Sequence, residues 1–170
     1  MTESQRLQEY AAADPVAAPG LAEDEFAAAA TDHTVWSCVG NLTAVRSIRA
    51  RVRDVLEQAR PPGGPVPGEA VDDAELAASE LATNALLHSR SGQIGGVMTL
   101  SIRIERGRVR VAVADQGEKS RDAGPDGELR EADGDYGRGK LIIESCTTRS
   151  GEYRSDATHV AWFEIDLPEE

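Results

Sequence analysis

The sequence has little of several features that mark particular protein classes. Only two of its 170 residues are cysteine, Cys38 and Cys146, which is too few for a disulfide framework or a cysteine-based zinc site. No uninterrupted run approaches the roughly 18 apolar residues that a membrane-spanning helix needs. Residues 1–5 also lack the basic and then apolar pattern of a signal peptide. We therefore expect two buried free thiols, no membrane association and a cytoplasmic location.

Positive charge is also scarce. The chain has 18 Lys and Arg residues against 30 Asp and Glu residues, so its formal net charge is −12. This excess of negative charge disfavours direct binding to nucleic acid or to anionic lipid, and a basic protein partner fits it better. The length suits one domain with a real hydrophobic core, together with a tail.

The first 33 residues differ in composition from the rest. They are rich in alanine, acidic residues and proline, and they contain few large apolar side chains. This composition predicts a flexible or loosely docked tail over 1–33, followed by a folded domain over 34–170. A short strand is expected over 35–39, and Asn41 is placed to cap the helix after it. The apolar residues of that helix recur every three or four positions; they are Leu42, Val45, Ile48, Val52, Val55 and Leu56.

The remaining elements are predicted from the Pro and Gly residues that interrupt regular structure and from the spacing of apolar residues. The Pro/Gly block over 60–68 is a connector. The elements expected after it are a helix from Asp72 or Asp73 to His88, an alternating hairpin over 98–104 and 109–113, a polar lid over about 116–136, a short helix over 138–147, and a final strand over 159–167. Together they predict an α+β fold, a two-layer sandwich with a mixed, mostly antiparallel sheet covered on one face by helices.

Glu80 and Asn84 are the most informative residues. They lie four positions apart, so they share one face of the predicted helix. A glutamate can orient or deprotonate a nucleophile. An asparagine offers a neutral oxygen to Mg²⁺, which keeps some of its waters and takes other ligands from phosphates. The pair therefore suits a metal-bound nucleotide, although many solvated helix faces carry the same two residues.

Two further groups extend this pattern along the chain. A predicted strand ends in Asp115-Gln116-Gly117, and Gly137-Arg138-Gly139 precedes the short helix beyond the lid. With these groups in this order, the chain resembles the histidine-kinase-like ATPases, which have the Bergerat nucleotide-binding fold. It is most similar to the small bacterial anti-sigma-factor serine kinases and their actinobacterial relatives. The resemblance runs from about Val35 to Leu167.

The resemblance implies a role for each group. Glu80 is the expected catalytic base, and Asn84 is the expected ligand of Mg²⁺. Asp115 would accept a hydrogen bond from the adenine amino group of ATP, while Gly117 leaves room for the base. Gly137 and Gly139 would flank a helix start that holds phosphate oxygens, with Arg138 beside them. His88 corresponds to the residue that closes the asparagine motif.

Two positions depart from the family pattern. Lys140 stands where relatives have an apolar residue; it reaches a phosphate, pairs with a lid carboxylate, or points into solvent. A Walker phosphate loop is excluded because Leu141 follows Lys140 where Ser or Thr is required. Near the closing strand, Thr158 is the candidate for a threonine that contacts phosphate or supports Asp115. If Trp162-Phe163-Glu164 fixes the register instead, Val160 occupies that position.

The resemblance implies an ATP- and Mg²⁺-dependent serine/threonine protein kinase of the anti-sigma-factor type. Such a protein phosphorylates an anti-sigma-factor antagonist, sequesters a sigma factor and works as a homodimer. Lys140 and the irregular lid leave open a noncatalytic module that senses ATP or only binds a partner. The catalytic half of a sensor histidine kinase is less expected, because the residues before Thr34 are too short and too acidic for a dimerising helix with a phospho-accepting histidine.

Overall fold

The computed structural model describes residues 30–117, 133–155 and 158–168. The elements in this part are, in chain order, β1 (Ala30–Val39), α1 (Leu42–Gln58), α2 (Gly68–His88), a 3-10 turn (Arg90–Gly92), β2 (Val97–Glu105), β3 (Arg108–Asp115), α3 (Asp133–Cys146), β4 (Arg149–Ser155) and β5 (Thr158–Asp166). Every pair of neighbouring strands is antiparallel, and the sheet order is β1-β2-β3-β5-β4. The predicted α+β class is confirmed.

The β2–β3 hairpin supplies the centre of the sheet. Buried and partly exposed residues alternate along both strands, as expected for strands with one face on the core. The tight turn contains Gly107 with a φ of +74°, a conformation that glycine adopts without steric cost. The buried side chains are Met98, Leu100, Ile102 and Ile104 of β2, and Val109, Val111 and Val113 of β3.

Helix α1 begins as predicted but differs in its first apolar residue. The Asn41 side chain accepts hydrogen bonds from the backbone N–H groups of Thr43 and Ala44 at 3.0 and 3.1 Å. Ile48, Val52 and Leu56 are fully buried. Leu42, predicted to share their face, is 93% exposed. At 3.6 residues per turn Leu42 lies about 160° around the helix from buried Ala44, so it faces solvent.

Helix α2 begins at Gly68, so the prediction of a start at Asp72 or Asp73 is wrong by about one turn. Asp72 instead accepts a hydrogen bond from Arg53 of α1 at 2.7 Å. The buried face of α2 is mostly alanine, and the helix contacts both α1 and α3. The small side chains that allow these close approaches include Ala77, Ala78, Ala82 and Ala85.

Two predicted boundaries also change. Strand β1 begins at Ala30, so residues 30–33, which their composition assigns to the tail, belong to the strand. The strand ladder extends this far because β2 offers a pairing edge of matching length. Helix α3 begins at Asp133, so residues 133–136 of the predicted lid are helical. The rest of the tail, 1–29, and of the lid, 118–132, lies outside the described residues.

The sheet face away from the helices carries a charged cluster. Glu164 of β5 is 4% exposed. Its carboxylate accepts hydrogen bonds from Arg110 at 3.0 Å and Arg149 at 2.7 Å, and it lies 3.4 Å from Arg108. Burial alone would raise the pKa of Glu164, but these arginines outweigh it and lower the pKa. Glu164 is therefore a buried ion that three strands stabilise together.

Both cysteines are free and half-buried. The prediction of free thiols is confirmed, although neither side chain is fully enclosed. Burial raises the pKa of Cys38 to about 11, so its thiol stays protonated at neutral pH and reacts slowly. Among the helices of the described segments, none combines the length and apolar character needed to cross a membrane.

Candidate nucleotide site

Helices α2 and α3 line a partly open cavity of about 150 Å³. Its lining residues are Glu80, Thr83, Asn84, Leu87, His88, Arg138, Gly139 and Ile142. Five residues that the sequence analysis singles out therefore lie around one space. The cavity is smaller than the roughly 300–1,000 Å³ of typical small-molecule pockets, so its size suits the phosphate end of a nucleotide and not the whole molecule.

Gly139 of α3 packs closely against Glu80 and Asn84 of α2. A Cβ atom built on Gly139 would lie 2.9 Å from Glu80 Oε2 and 3.8 Å from Asn84 Oδ1. Only a residue without a side chain fits there while Glu80 keeps its position. Gly137 differs, because it is exposed and a Cβ on it would meet nothing within 4 Å. Arg138 and Lys140 are both exposed on α3.

The prediction that Gly137 and Gly139 flank a helix start is wrong in this conformation. Helix α3 begins at Asp133, which places both glycines in its second turn. Neither glycine has a positive φ, so the backbone continues as a helix through them. The backbone N–H groups without a partner within the helix belong to its first turn, residues 133–136. Phosphate binding by this segment therefore remains a prediction.

Asp115 ends strand β3 and is 6% exposed. Its Oδ1 accepts a hydrogen bond from the backbone N–H of Gly117 at 2.8 Å. Gly117 has a φ of +76°, which favours glycine at this turn. The Oδ2 atom lies 2.9 Å from His159 Nδ1. Each carboxylate oxygen can accept about two hydrogen bonds, so each oxygen of Asp115 retains capacity for a further donor.

His159 joins two carboxylates. Besides Asp115, its ring contacts Glu152 of β4, with 3.0 Å between Nε2 and Glu152 Oε2. The hydrogen bond with Asp115 raises the pKa of His159; burial opposes this shift, and the bond with Glu152 adds to it. Asp115 and Glu152 thus favour the charged form of the ring.

A hydrogen-bond network ties the end of β3 to the end of α2. The Arg90 N–H donates to the Gly117 carbonyl at 2.8 Å, and its guanidinium donates to the Gln116 carbonyl at 2.9 and 2.6 Å. The Gln116 N–H donates to Ser91 Oγ at 2.9 Å. Arg90 follows His88 by two residues, so Asp115 and Gly117 lie at the C-terminal end of the helix that carries Glu80 and Asn84.

This arrangement matches a known domain family. Residues 39–162 match the family described as histidine kinase-like ATPase domain. The chain belongs to this family. Membership implies ATP binding, and the antiparallel sheet with its helices on one face agrees with the Bergerat fold of these ATPases. Among curated proteins, no match to the chain is found.

Solved structures that match this chain include two bacterial proteins. One contains the RsbU and RsbW domains of Rv1364c from Mycobacterium tuberculosis, with a TM-score of 0.60 and 18% identity over 82% of this chain. Our chain spans 34% of that chain. The other is the histidine kinase domain of the blue-light activated histidine kinase from Erythrobacter litoralis EL346. It has a TM-score of 0.45 and 22% identity, and the match covers 76% of this chain and 61% of that one.

In this ATPase domain, the residue of β5 that lies opposite Asp115 is His159, and not Thr158 or Val160. The β3–β5 register pairs His159 with Asp115 and Val160 with Ala114. Thr158 pairs with Ser155 of β4. The sequence marks Asp115 as a strand end, but it contains no signal for which residue of β5 lies opposite. Arg90, Ser91 and Glu152 were missed for the same reason, because their contacts depend on distant pairing.

The donor groups fit Mg²⁺ only if a nucleotide supplies further ligands. Within residues 30–117, 133–155 and 158–168, no cluster of three or more His, Cys, Asp or Glu residues could hold a metal ion. The cavity offers the Asn84 carboxamide and the Glu80 carboxylate, with the Gly139 backbone close to both. Mg²⁺ commonly binds through one or two protein oxygens plus phosphates and water, so these residues fit that mode.

Proposed function

We propose that this protein is an Mg²⁺- and ATP-dependent serine/threonine protein kinase of the anti-sigma-factor type. Its substrate would be an anti-sigma-factor antagonist, and its second partner a sigma factor. Family membership supports ATP binding. The resemblance in the site motifs and the similar fold of a chain that includes an RsbW domain support the more specific function.

One observation carries the proposal, namely the position of Glu80 and Asn84 relative to Asp115. Asp115 lies at the end of α2, where Arg90 binds the Gly117 carbonyl. Asn84 and Glu80 lie one and two turns before His88, a span of about 12 Å along the helix from His88 to Glu80. An extended nucleotide with adenine at Asp115 would direct its phosphates along this helix face toward Glu80.

The residues divide the reaction between them. Asp115 accepts a hydrogen bond from the adenine amino group, and Asn84 would hold Mg²⁺, which neutralises phosphate charge. Glu80 accepts the proton of a serine hydroxyl as its oxygen bonds to the γ-phosphorus. The bond from that phosphorus to the bridging oxygen breaks, and ADP leaves with the electron pair. Catalysis consists mainly of positioning and charge neutralisation.

The same proposal extends to assembly, location and domain boundaries. A homodimer in the cytoplasm follows from the resemblance, as does a regulatory role in transcription. The net charge of −12 favours protein partners over direct contact with nucleic acid. The ATPase domain, predicted over 34–170, would begin with β1 at Ala30, and the lid would lie between Gly117 and Asp133. His88, Arg138, Lys140 and Thr158 would contact the nucleotide.

Phosphoryl transfer to an antagonist protein tests this proposal. The purified chain, Mg·ATP labelled on the γ-phosphate and candidate antagonist domains are incubated, and phosphoserine is measured. We expect transfer by the wild type and a loss of at least about a hundredfold in Glu80→Gln, the usual contribution of a general base. Glu75→Gln is the matched control, because Glu75 lies on the same helix but binds Arg49 and Arg53.

Retained ATP and partner binding without any phosphoryl transfer would instead support the noncatalytic, ATP-sensing module. Exposed Lys140 beside the cavity residue Gly139 is the feature that favours this second function. Equal transfer by wild type and Glu80→Gln would refute the role of Glu80 as the base.

A further inference from the structure

His159 lies between the carboxylates of Asp115 and Glu152. An ionised carboxylate accepts hydrogen bonds but has none to donate. Its Nδ1 is 2.9 Å from Asp115 Oδ2, and its Nε2 is 3.0 Å from Glu152 Oε2. A neutral imidazole has one N–H donor and one bare nitrogen, whereas an imidazolium has two donors. Only the charged ring can therefore donate to both carboxylates in the observed geometry.

The groups around His159 come from three neighbouring elements and differ in their exposure to solvent. Strand β3 contributes Asp115, and β4 contributes Glu152 together with Arg154, which is the cross-strand partner of His159. Helix α2 also contacts β5, but its buried residues include no titratable side chain. Asp115 and His159 have side-chain exposures of 5% and 20%, and Glu152 is 56% exposed. Burial is thus greatest at Asp115 and least at Glu152.

We propose that His159 is a positioning residue for adenine recognition, which orients the Asp115 carboxylate most firmly when its ring is charged and bridges Asp115 to Glu152. This inference rests on the proposed function, because it requires that Asp115 binds the adenine of ATP. His159 occupies Oδ2 and Gly117 N–H occupies Oδ1. The carboxylate is then fixed from both sides, and its remaining lone pairs can accept the hydrogen bond proposed from the adenine amino group.

Loss of the ring proton weakens this arrangement in a defined order. A neutral ring keeps its proton toward the more buried Asp115, where an unpaired carboxylate costs most, and releases the exposed Glu152. The remaining bond to Asp115 then joins a neutral donor to a carboxylate, so it loses the attraction between two opposite charges. Adenine affinity should therefore fall as the pH rises through the pKa of His159.

The test compares ATP affinity as a function of pH in the full chain and two variants. His159→Asn places an amide N–H near the position of Nδ1 and cannot titrate in this range, so it keeps the contact with Asp115. ATP has its own titrating phosphate, and this variant shows that contribution alone. Between pH 6 and pH 9, we expect the affinity of the wild type to fall by about three- to tenfold more than that of His159→Asn.

Glu152→Gln provides the second arm. The glutamine carries no charge, and its amide can donate to a neutral Nε2, so the neutral ring becomes more favourable. The pKa of His159, followed by NMR of the ring, should be lower in this variant, and the fall in ATP affinity should move to lower pH with it.

The outcomes separate this inference from the proposed function. Parallel pH profiles for wild type and His159→Asn would overturn the role of His159 while leaving the ATP site in place. An unchanged ring pKa in Glu152→Gln would overturn the bridge. If the wild type binds no ATP at any pH, both the inference and the proposed function fail.

Discussion

Replacing Gly139 by alanine adds one methyl group where α3 packs closely against Glu80 of α2. The new Cβ would lie 2.9 Å from Glu80 Oε2, whereas ordinary contacts begin at 3.4 Å. The far end of the Glu80 side chain can move by this amount, so the helices need not separate. The carboxylate must then leave the position where it faces the cavity.

Gly139→Ala should therefore raise the stability of the helix and lower the affinity for ATP. Alanine in a helix interior is more favourable than glycine by about 0.8–1 kcal/mol, which corresponds to about 2–4 °C in Tm for a protein of this size. The contact with Glu80 removes part of that gain. ATP affinity should fall by at least about tenfold, or about 1.4 kcal/mol, because the methyl group occupies space beside Glu80 and Asn84.

Gly137→Ala is the matched control. It lies in the same turn of α3, but its Cβ would meet nothing within 4 Å. We expect the full gain in Tm and unchanged ATP affinity, measured by thermal unfolding and calorimetric titration of both variants. If Gly139→Ala binds ATP as tightly as the wild type and gains as much Tm as Gly137→Ala, the close approach has no functional role and the reasoning is refuted.

Two further predictions concern the sheet and its connections. Glu164→Gln should lower the free energy of unfolding by about 1.5–3 kcal/mol, because the partly exposed arginines lose their hydrogen bonds to a shared carboxylate. The pKa of Glu164 is lowered in the folded protein, so its contribution to stability is present above the unfolded pKa, about 4.5, and is lost as the pH falls through the folded pKa. Urea unfolding from pH 7 to pH 3 should show this loss of stability in the wild type and less of it in Glu164→Gln. Gly40→Ala should prevent stable folding, since its Cβ would lie 1.7 Å from the Ser91 carbonyl oxygen, whereas Gly68→Ala meets nothing within 4 Å and should fold normally. A Gly40→Ala protein with the Tm of Gly68→Ala would contradict the tight packing at that carbonyl.

Local patterns were enough to predict several elements. Alternating apolar residues located the β2–β3 hairpin, because one face of each strand packs on the core. Asn41 located the start of α1, because its side chain accepts hydrogen bonds from the free N–H groups of Thr43 and Ala44 in the first turn. Glu80 and Asn84 were placed on one helix face by their spacing alone.

Features that depend on distant partners were not predictable in this way. Asp72 was read as a helix start, but it pairs with Arg53 of another helix. His159 was missed because the register between β3 and β5 is set by the whole sheet. Gly139 was expected at a helix start, yet it serves as the small residue facing Glu80. In each case the residue makes its main contact with a partner that is distant in the sequence.

Calorimetric titration of the purified chain with Mg·ATP tests the central claim most directly, beside Asp115→Asn and Asn84→Ala and with GTP as a control. Asp115 accepts hydrogen bonds with two carboxylate oxygens, whereas an asparagine in its place has a single acceptor oxygen. Asp115→Asn should therefore lose adenine recognition. The account predicts that ATP binds, GTP does not, and both variants lose ATP affinity. Absence of binding at millimolar ATP, which corresponds to about −4 kcal/mol or weaker, or equal binding by both variants, would contradict it.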